Sequence, residues 1–296
     1  MKITISGASG LIGRRLATLF AAEGHSIHTL SRGAGRTPPG ASASAWDPNS
    51  GEPPLEALRD AGAVIHLAGE NVAQRWTDDA RRRIRESRVA GTRSLVQALA
   101  KLPRRPEALV CASAVEYYGA RGDETLTESS PPGTGFLPEV CVAWEREAQA
   151  AEELGMRVVR LRLGVALDSK GGALPRMLPA FRWGVGGRLG DGRQWMSWIH
   201  LEDVAGLFRT AVLTPMSGAV NAVSPNPVTN AEFTRVLARA ISRPAVFAVP
   251  EFALRAMLGE MSVVLLASQR VVPAAAEAAG YRFRFPELQG ALKALF

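Results

Sequence analysis

The start of the chain constrains the fold most strongly. Residues 2–6 are a short apolar run typical of a buried strand, and a loop with glycine at positions 7, 10 and 13 follows at once. An amphipathic pattern to about Ala22 then predicts a helix. Glycines between a strand and a helix permit a tight turn and a close approach to a pyrophosphate, and the helix N-terminus attracts the phosphates. A dinucleotide site is predicted, with these residues in contact: Gly7, Ala8, Ser9, Gly10, Leu11, Ile12 and Gly13.

Strands and helices alternate along the first half of the chain. The pattern predicts strands at 26–31, 63–67, 108–112 and 156–163, with helices at about 79–101 and 140–154. Such alternation is typical of a parallel sheet covered on both faces. Since crossovers between parallel strands are right-handed, we predict an α/β fold with a Rossmann-type, doubly wound parallel sheet.

Beyond Gly164 the chain becomes rich in glycine, and farther on it is mainly helical. Helices are predicted at 174–183 and 203–213, a strand at 219–223, and a further helix start at Thr229. We therefore expect a Rossmann core at 1–165, to which roughly 195–225 returns. A smaller, mainly helical substrate-side lobe is expected at 166–296.

Composition excludes several classes of protein. The 296 residues carry a formal charge of +7, but the arginines are scattered, and those at 81–88 spread around a helix, so no nucleic-acid partner is expected. No apolar run approaches the roughly 18 residues that a membrane span requires. There is no signal-peptide pattern, and we predict a cytoplasmic protein without a membrane partner. The four histidines lack ligand spacing, so no metal site is predicted.

The end of the second strand predicts the cofactor. An NAD site has an acidic residue there, about 20 residues after the glycine loop, to bind the ribose 2′-hydroxyl. This chain has Ser31 and Arg32 instead. Because a guanidinium binds a phosphate through two N–H groups, Arg32 favours NADP over NAD, and Ser9 offers a further hydroxyl.

A series of motifs in chain order resembles a known family. Beside the glycine loop and Arg32, the chain has His66-Leu-Ala-Gly69, the segment Ala112–Gly119 and Trp198-Ile-His200. These resemble extended short-chain dehydrogenases/reductases, and more narrowly an atypical, epimerase-like branch of them. The resemblance covers essentially the whole chain. It implies further cofactor contacts from Leu67, Ala68, Gly69, Arg88 and Leu163.

The chain departs from that superfamily at its catalytic pair. Ordinary members carry Tyr-x-x-x-Lys on the helix that follows the serine strand, and here Cys141 and Glu145 occupy those positions. Both the proton donor and its neighbouring cation are therefore replaced. We predict Ser113 as the residue that orients the substrate, and Glu145 or Tyr117 as the acid or base. Tyr118 is a second aromatic candidate, and a chemical role is not favoured for Cys141.

Two functions are consistent with these residues. The first is an NADP(H)-dependent, epimerase-like oxidoreductase that acts on a small polar substrate, with a nucleotide sugar as one candidate. The second is a redox-sensing or scaffold protein that binds NADP(H) without turnover, because the Tyr-x-x-x-Lys pair is missing. A monomer or a homodimer is expected in either case.

Overall fold

A computed structural model describes residues 1–33 and 40–296. The strands, in chain order, are β1 (Lys2–Ser6), β2 (Ser26–Ser31), β3 (Ser42–Ala45), β4 (Ala61–His66), β5 (Ala108–Ala114), β6 (Thr125–Leu126), β7 (Arg157–Leu163), β8 (Val165–Leu167), β9 (Gly187–Leu189), β10 (Trp195–Met196), β11 (Trp198–His200), β12 (Gly218–Ala222), β13 (Val228–Thr229), β14 (Phe247–Val249) and β15 (Arg270–Val271). The α-helices are α1 (Leu11–Ala22), α2 (Leu55–Leu58), α3 (Asp78–Ala100), α4 (Phe136–Gln149), α5 (Leu174–Arg182), α6 (Leu201–Leu213), α7 (Asn230–Ala240), α8 (Glu251–Leu258), α9 (Ser262–Leu266), α10 (Ala274–Ala278) and α11 (Leu288–Lys293). Short 3₁₀ helices span Val115–Tyr118, Ala150–Leu154 and Gly259–Met261.

The central sheet confirms the predicted fold class. Its seven strands lie in the order β12-β7-β5-β4-β1-β2-β3, and every pair of neighbours is parallel. The strand order reverses between β1 and β4, and this switch point is where doubly wound sheets bind their ligands. The glycine loop after β1 therefore lies at the edge of the sheet where folds of this topology bind their ligands.

Both faces of the sheet are buried, as the near-continuous apolar strands require. Along β4, Ile65 packs on one face with Leu16 of α1 and Phe208 of α6. Val64, the preceding residue, packs on the other face with Leu95 of α3. Successive side chains of a strand point to opposite faces, so one strand supplies both cores.

Two local features differ from the sequence expectation. The edge strand β3 has the sequence Ser-Ala-Ser-Ala, which lacks the β-branched and aromatic residues of typical strands, and its pairing with β2 creates it. Helix α4 begins at Phe136, four residues before the predicted start, with Pro138 in its first turn. Proline is tolerated there because the first N–H groups of a helix have no partner within the helix.

The later segments build a second core beside the sheet. Leu178 of α5, Phe233 of α7 and Leu292 of α11 pack around Trp198, which is fully buried. Strand β12 returns to the edge of the central sheet beside β7. The domain limits 1–165 and 166–296 remain a prediction. In the described ranges, no helix has both the length and the apolar character needed to cross a bilayer.

A buried carboxylate attaches the C-terminal tail to α6. Asp203 is 1% exposed, and its two oxygens accept backbone N–H groups from Arg284 at 2.7 Å and Phe285 at 2.9 Å. The hydroxyl of Tyr281 donates to the same carboxylate at 3.2 Å and packs on Gly206. A charged acceptor therefore holds a stretch of chain that has no strand or helix of its own at this point.

We expect Asp203→Asn to lower the free energy of unfolding by about 1–3 kcal/mol, because one of the tail N–H groups then faces an amide NH₂ instead of an acceptor. Urea unfolding followed by circular dichroism measures the loss. Glu153→Gln removes an exposed carboxylate and serves as the control. Equal stabilities of the two variants would show that Asp203 does not hold the tail.

Candidate functional site

The glycine loop presents free backbone N–H groups at the start of α1. Gly10 is the N-cap of that helix, and no side chain satisfies the first turn. The loop is closed by hydrogen bonds from the Gly7 N–H to Leu30 and from the Gly10 N–H to the Gly7 carbonyl, each 3.0 Å long. A helix N-terminus in this state is suited to bind the phosphates of a dinucleotide.

Two of the glycines are required by the close packing of backbone. Gly7 has a φ of +69°, and a Cβ there would lie 2.8 Å from the carbonyl carbon of Leu67. A Cβ at Gly13 would lie 2.5 Å from the Gly7 carbonyl oxygen. The two glycines keep the turn narrow and hold the loop against the segment after β4. The residues present fit a bound dinucleotide.

A cavity of about 440 Å³ lies over this loop. It is lined by Gly7, Gly10, Leu11, Ile12, Gly13, Leu67, Ala112, Glu116, Leu163, Gly164, Val165, Ala166, Gly172 and Ala173. Half of this lining consists of residues that the sequence predicted as cofactor contacts. Of the other predicted contacts in the same loops, Ala8 and Ala68 are buried, and Ser9 is exposed at the tip of the glycine loop.

A buried hydrogen-bonded chain supports the loop that faces the glycines. His66, at the end of β4, is fully buried, and its Nδ1 and Nε2 lie 2.6 Å from the Ser6 hydroxyl and 3.0 Å from the Thr92 hydroxyl. The same Ser6 oxygen accepts the backbone N–H of Leu67 at 3.2 Å. The ends of β1 and β4 are thereby joined to each other and to the interior of α3, beside the dinucleotide cavity.

Ser31 is the last residue of β2 and Arg32 directly follows it, as predicted, so both lie at the same edge of the sheet. The Ser31 hydroxyl donates to the Gly33 carbonyl at 2.6 Å. The Arg32 guanidinium is 66% exposed and lies 3.6 Å from a carboxylate oxygen of Glu70. Such an exposed pair contributes little energy, so the guanidinium is free to bind a phosphate.

Arg88 lies against the loop after β4, behind Gly69. Its Nη1 donates to the carbonyls of Glu70 at 3.0 Å and Ile84 at 3.2 Å, and its guanidinium lies over the Trp144 ring. A Cβ at Gly69 would lie 3.3 Å from the Arg88 guanidinium carbon, a tight contact that a small shift of the arginine would have to relieve. These contacts make Arg88 a support of the loop, and its predicted contact with the cofactor stays a prediction.

The predicted catalytic residues come together in a buried network. The Ser113 hydroxyl donates to Glu145 at 2.6 Å, and Arg162 binds both carboxylate oxygens of Glu145, at 2.8 and 2.9 Å. Ser113, Glu145 and Arg162 are each at most 5% exposed. Arg162 also stacks on Tyr117, with 3.5 Å between the guanidinium carbon and the ring centroid. Glu145, at the usual lysine position, is therefore paired with Arg162, a cation that the sequence pattern did not predict.

Tyr118 and Cys141 are also enclosed. The Tyr118 hydroxyl donates to Asn221 and accepts from Arg162, and burial raises its pKa to about 12. Cys141 is 3% exposed, and burial raises the pKa of its thiol well above the ordinary range. Neither group ionises near neutral pH, which fits a packing role for the cysteine in the usual tyrosine position.

A second and larger cavity, of about 830 Å³, lies between the sheet and the C-terminal lobe. One wall includes Trp76, Arg81 and Phe136, and the opposite wall includes Arg255 and Glu260. We call it the substrate cleft. In the described part of the chain, its lining shares a single residue, Glu116, with the dinucleotide cavity.

Glu116 lies in the 3₁₀ turn that directly follows β5. Its side chain is partly buried, and desolvation raises the pKa of its carboxyl, although the positive charge of Arg88 opposes the shift. A carboxyl whose pKa is raised toward neutrality can act as an acid or a base. Glu116 is not among the residues predicted from the sequence, although Ser113 and Tyr117 of the same segment are. An acidic residue beside the end of a buried strand was the available signal.

Metal ligands are not grouped in this site. Among residues 1–33 and 40–296, no three His, Cys, Asp or Glu side chains come close enough to hold a metal ion.

The burial of His66 predicts a pH-dependent stability. Burial lowers the pKa of this imidazole to about 4 from an ordinary value near 6.5. Between about pH 6.5 and pH 4, the His66 imidazole is protonated in the unfolded chain but stays neutral in the folded chain. Stability is therefore lost as the pH falls from about 6.5 to about 4, by up to roughly 1.4 kcal/mol per pH unit.

We expect His66→Asn to flatten this acid dependence in urea unfolding measured between pH 7 and pH 4.5. His25→Asn replaces a partly exposed histidine and is the control that should keep the wild-type slope. A wild-type slope in His66→Asn would contradict the assignment.

Two family models match the chain. The "NAD dependent epimerase/dehydratase family" model matches residues 3–223, and the "Domain of unknown function (DUF1731)" model matches residues 249–295. The chain is 42% identical to epimerase family protein Mb2239 of Mycobacterium bovis, covering 98% of this chain and 96% of the relative. It is 37% identical to a chloroplastic homologue of SDR39U1 from Arabidopsis thaliana, covering 100% of this chain and 86% of the relative.

Solved structures agree with these matches. The crystal structure of human epimerase family protein SDR39U1 (isoform 2) with NADPH superimposes with a TM-score of 0.89 at 34% identity, covering 100% of this chain and 99% of the human one. A nucleoside-diphosphate sugar epimerase from Corynebacterium glutamicum matches with a TM-score of 0.82 at 36% identity, and this chain spans 58% of its length. The family match over residues 3–223, with a relative 42% identical along nearly the whole chain, means that this protein belongs to the NAD dependent epimerase/dehydratase family.

Proposed function

We propose that the protein is an NADP(H)-dependent, epimerase-like oxidoreductase that acts on a small polar substrate. The observation that carries this proposal is the junction of two cavities at one carboxyl group. The dinucleotide cavity and the substrate cleft both reach Glu116. A substrate in the cleft and a nicotinamide in the cavity would therefore meet beside a group able to transfer a proton.

The cofactor is NADP(H), in agreement with the sequence prediction. The human relative was solved with NADPH, and the present chain has Arg32 where an NAD site would have an acidic residue. The C. glutamicum neighbour is described as a nucleoside-diphosphate sugar epimerase, which supports a nucleotide sugar as the candidate substrate class.

The chemistry divides between the cofactor and the chain. When bound, NADP(H) supplies or accepts a hydride. We propose that Glu116 exchanges the accompanying proton with the reacting oxygen of the substrate. The roles of Ser113, Glu145 and Tyr117 remain predictions. Their contacts favour positioning, because the Glu145 carboxylate is already engaged by Ser113 and Arg162.

That closed network also supports the second candidate function, a redox-sensing or scaffold protein that binds NADP(H) without turnover. The side chains at the usual tyrosine and lysine positions are buried and engaged within the protein. NADPH oxidation by a panel of carbonyl compounds, followed by absorbance, separates the two candidates. Tight NADPH binding without any oxidation would favour the second.

With an accepted substrate, we expect Glu116→Gln to lower kcat by about 10²–10⁴-fold, the usual contribution of general acid–base catalysis. Because the pKa of Glu116 is raised, carbonyl reduction should depend on its protonated form and fall as the pH rises through that pKa. Glu139→Gln, an exposed carboxylate on α4, is the control. An unchanged kcat and pH profile in Glu116→Gln would remove Glu116 from the mechanism.

For the cofactor, we expect NADPH to bind at least tenfold more tightly than NADH, a difference of about 1.4 kcal/mol. Arg32→Ala should abolish that preference, because it removes the guanidinium that is expected to bind the 2′-phosphate of the adenosine ribose. Calorimetric titration of the nucleotide-free protein measures both values. Arg104→Ala, an exposed arginine in the connection that leads into β5, is the control. A preference that survives Arg32→Ala would assign it to other residues.

Two further expectations stand as part of the proposal. A cytoplasmic location remains a prediction, and one plant relative is chloroplastic. A monomer or a homodimer also remains a prediction.

A further inference from the structure

Arg81 lies in the substrate cleft with an unusual set of neighbours. It is near the start of α3, and its guanidinium carbon lies 5.0 Å from the centroid of the Phe136 ring and 6.0 Å from that of Trp76. The two rings pack edge to face, with centroids 5.3 Å apart. Cation–π contacts with two packed rings fix the position of the charge, so little side-chain entropy remains to be lost on binding a ligand.

The guanidinium is only partly satisfied. Its Nη2 contacts a carboxylate oxygen of Glu260 at 2.5 Å. Its Nε is buried, and no hydrogen-bond acceptor reaches it within the residues that the structure describes. A buried donor without a partner is costly, and it marks a position where an acceptor is missing.

The partner carboxylate comes from the opposite wall of the cleft. Glu260 lies in the 3₁₀ turn Gly259–Met261 of the C-terminal lobe, and the Arg81–Glu260 pair therefore joins the two walls. The side chains are 36% and 59% exposed, so the pair contributes at most about 1 kcal/mol and is easily displaced. The other arginine in the cleft lining, Arg255, pairs with Glu251 of its own helix, so that pair does not join the two walls.

We infer that Arg81 is the subsite for an anionic group, a carboxylate or a phosphate, on the part of the substrate that enters the cleft, and that Glu260 occupies this subsite until the substrate arrives. Two oxygens of a carboxylate or a phosphate can bind Nε and Nη2 together, which is the two-bond geometry that arginine prefers. Binding would satisfy the unpartnered Nε and release the Glu260 carboxylate from Arg81. This inference rests on the proposed function, because it concerns the substrate of the same cleft.

The test uses the side-chain Nε–H resonance of Arg81 in ¹⁵N-labelled full-length protein saturated with NADPH, which keeps phosphate out of the dinucleotide site. Arg81→Lys identifies the resonance by removing it. The probes are inorganic phosphate, D-glucuronate and the uncharged D-glucose, each titrated against wild-type protein and three variants. Phosphate and glucuronate separate the two possible anionic groups, and glucose reports contacts that do not depend on charge.

We expect at least one of the two anions to shift the Arg81 resonance saturably, and glucose to leave it in place. Glu260→Gln removes the competing carboxylate from an exposed position and should tighten that anion by up to about fivefold, which is the equivalent of the roughly 1 kcal/mol of the pair. Arg81→Gln should weaken it at least tenfold, as measured by calorimetric titration. Arg82→Gln changes the neighbouring arginine, which pairs with Asp79 and Glu86 on its own helix, and should leave the affinity unchanged.

An anion affinity that is the same in wild type and Glu260→Gln, or no binding in either protein, would overturn the inference and leave the pair as a tie between the two walls. The outcome is separate from that of the proposed function. NADPH titration and the carbonyl panel test the oxidoreductase assignment, and the Arg81 resonance can be followed even if NADPH is not oxidised.

Discussion

The close approach of two backbone segments at the sheet switch point sets the geometry of the whole site. Gly7 has no Cβ, and the loop after β1 therefore rests directly on Leu67 and Ala68 at the end of β4. The Ser6 hydroxyl bonds both the His66 ring and the Leu67 N–H, and these bonds hold the two strand ends together. Three features of the site surround this contact. They are the N-terminus of α1, the loop after β4 that Arg88 supports, and the cavity that reaches Glu116.

The chemistry near the nicotinamide end has been rearranged relative to the superfamily pattern. A tyrosine and a lysine are replaced by a buried cysteine and a glutamate, and the glutamate would be a costly unpaired charge if nothing compensated it. Arg162, on β7, supplies the compensating charge through two hydrogen bonds. This ion pair favours a positioning role for Glu145, whereas Glu116 is the partly buried carboxyl at the junction of the two cavities.

The substrate cleft depends on the C-terminal lobe for half of its wall. Segment 249–295, which matches a domain of unknown function, contributes Arg255, Glu260 and Gln269 to the lining. Asp203 and Tyr281 attach that segment to α6, and Gln269 donates to the Val115 carbonyl beside Glu116. The lobe therefore shapes the cleft, and the same segment that Asp203 attaches to α6 also contacts the turn that carries Glu116.

Local pattern was enough to predict the fold and much of the dinucleotide cavity. The strand, glycine turn and helix at the N-terminus, the alternation that follows, and Arg32 at the end of β2 all express themselves within a few residues of chain, because hydrophobic period, turn geometry and charge act locally. The catalytic environment could not be predicted in this way. Glu145 meets Arg162 across 17 residues of sequence, Arg81 meets Glu260 from the other lobe, and Glu116 gains its raised pKa only from the protein packed around it. Burial and ion pairing depend on contacts between segments that are distant in the sequence. Tertiary structure therefore decided which charges are neutralised, which remain free, and which face a cavity.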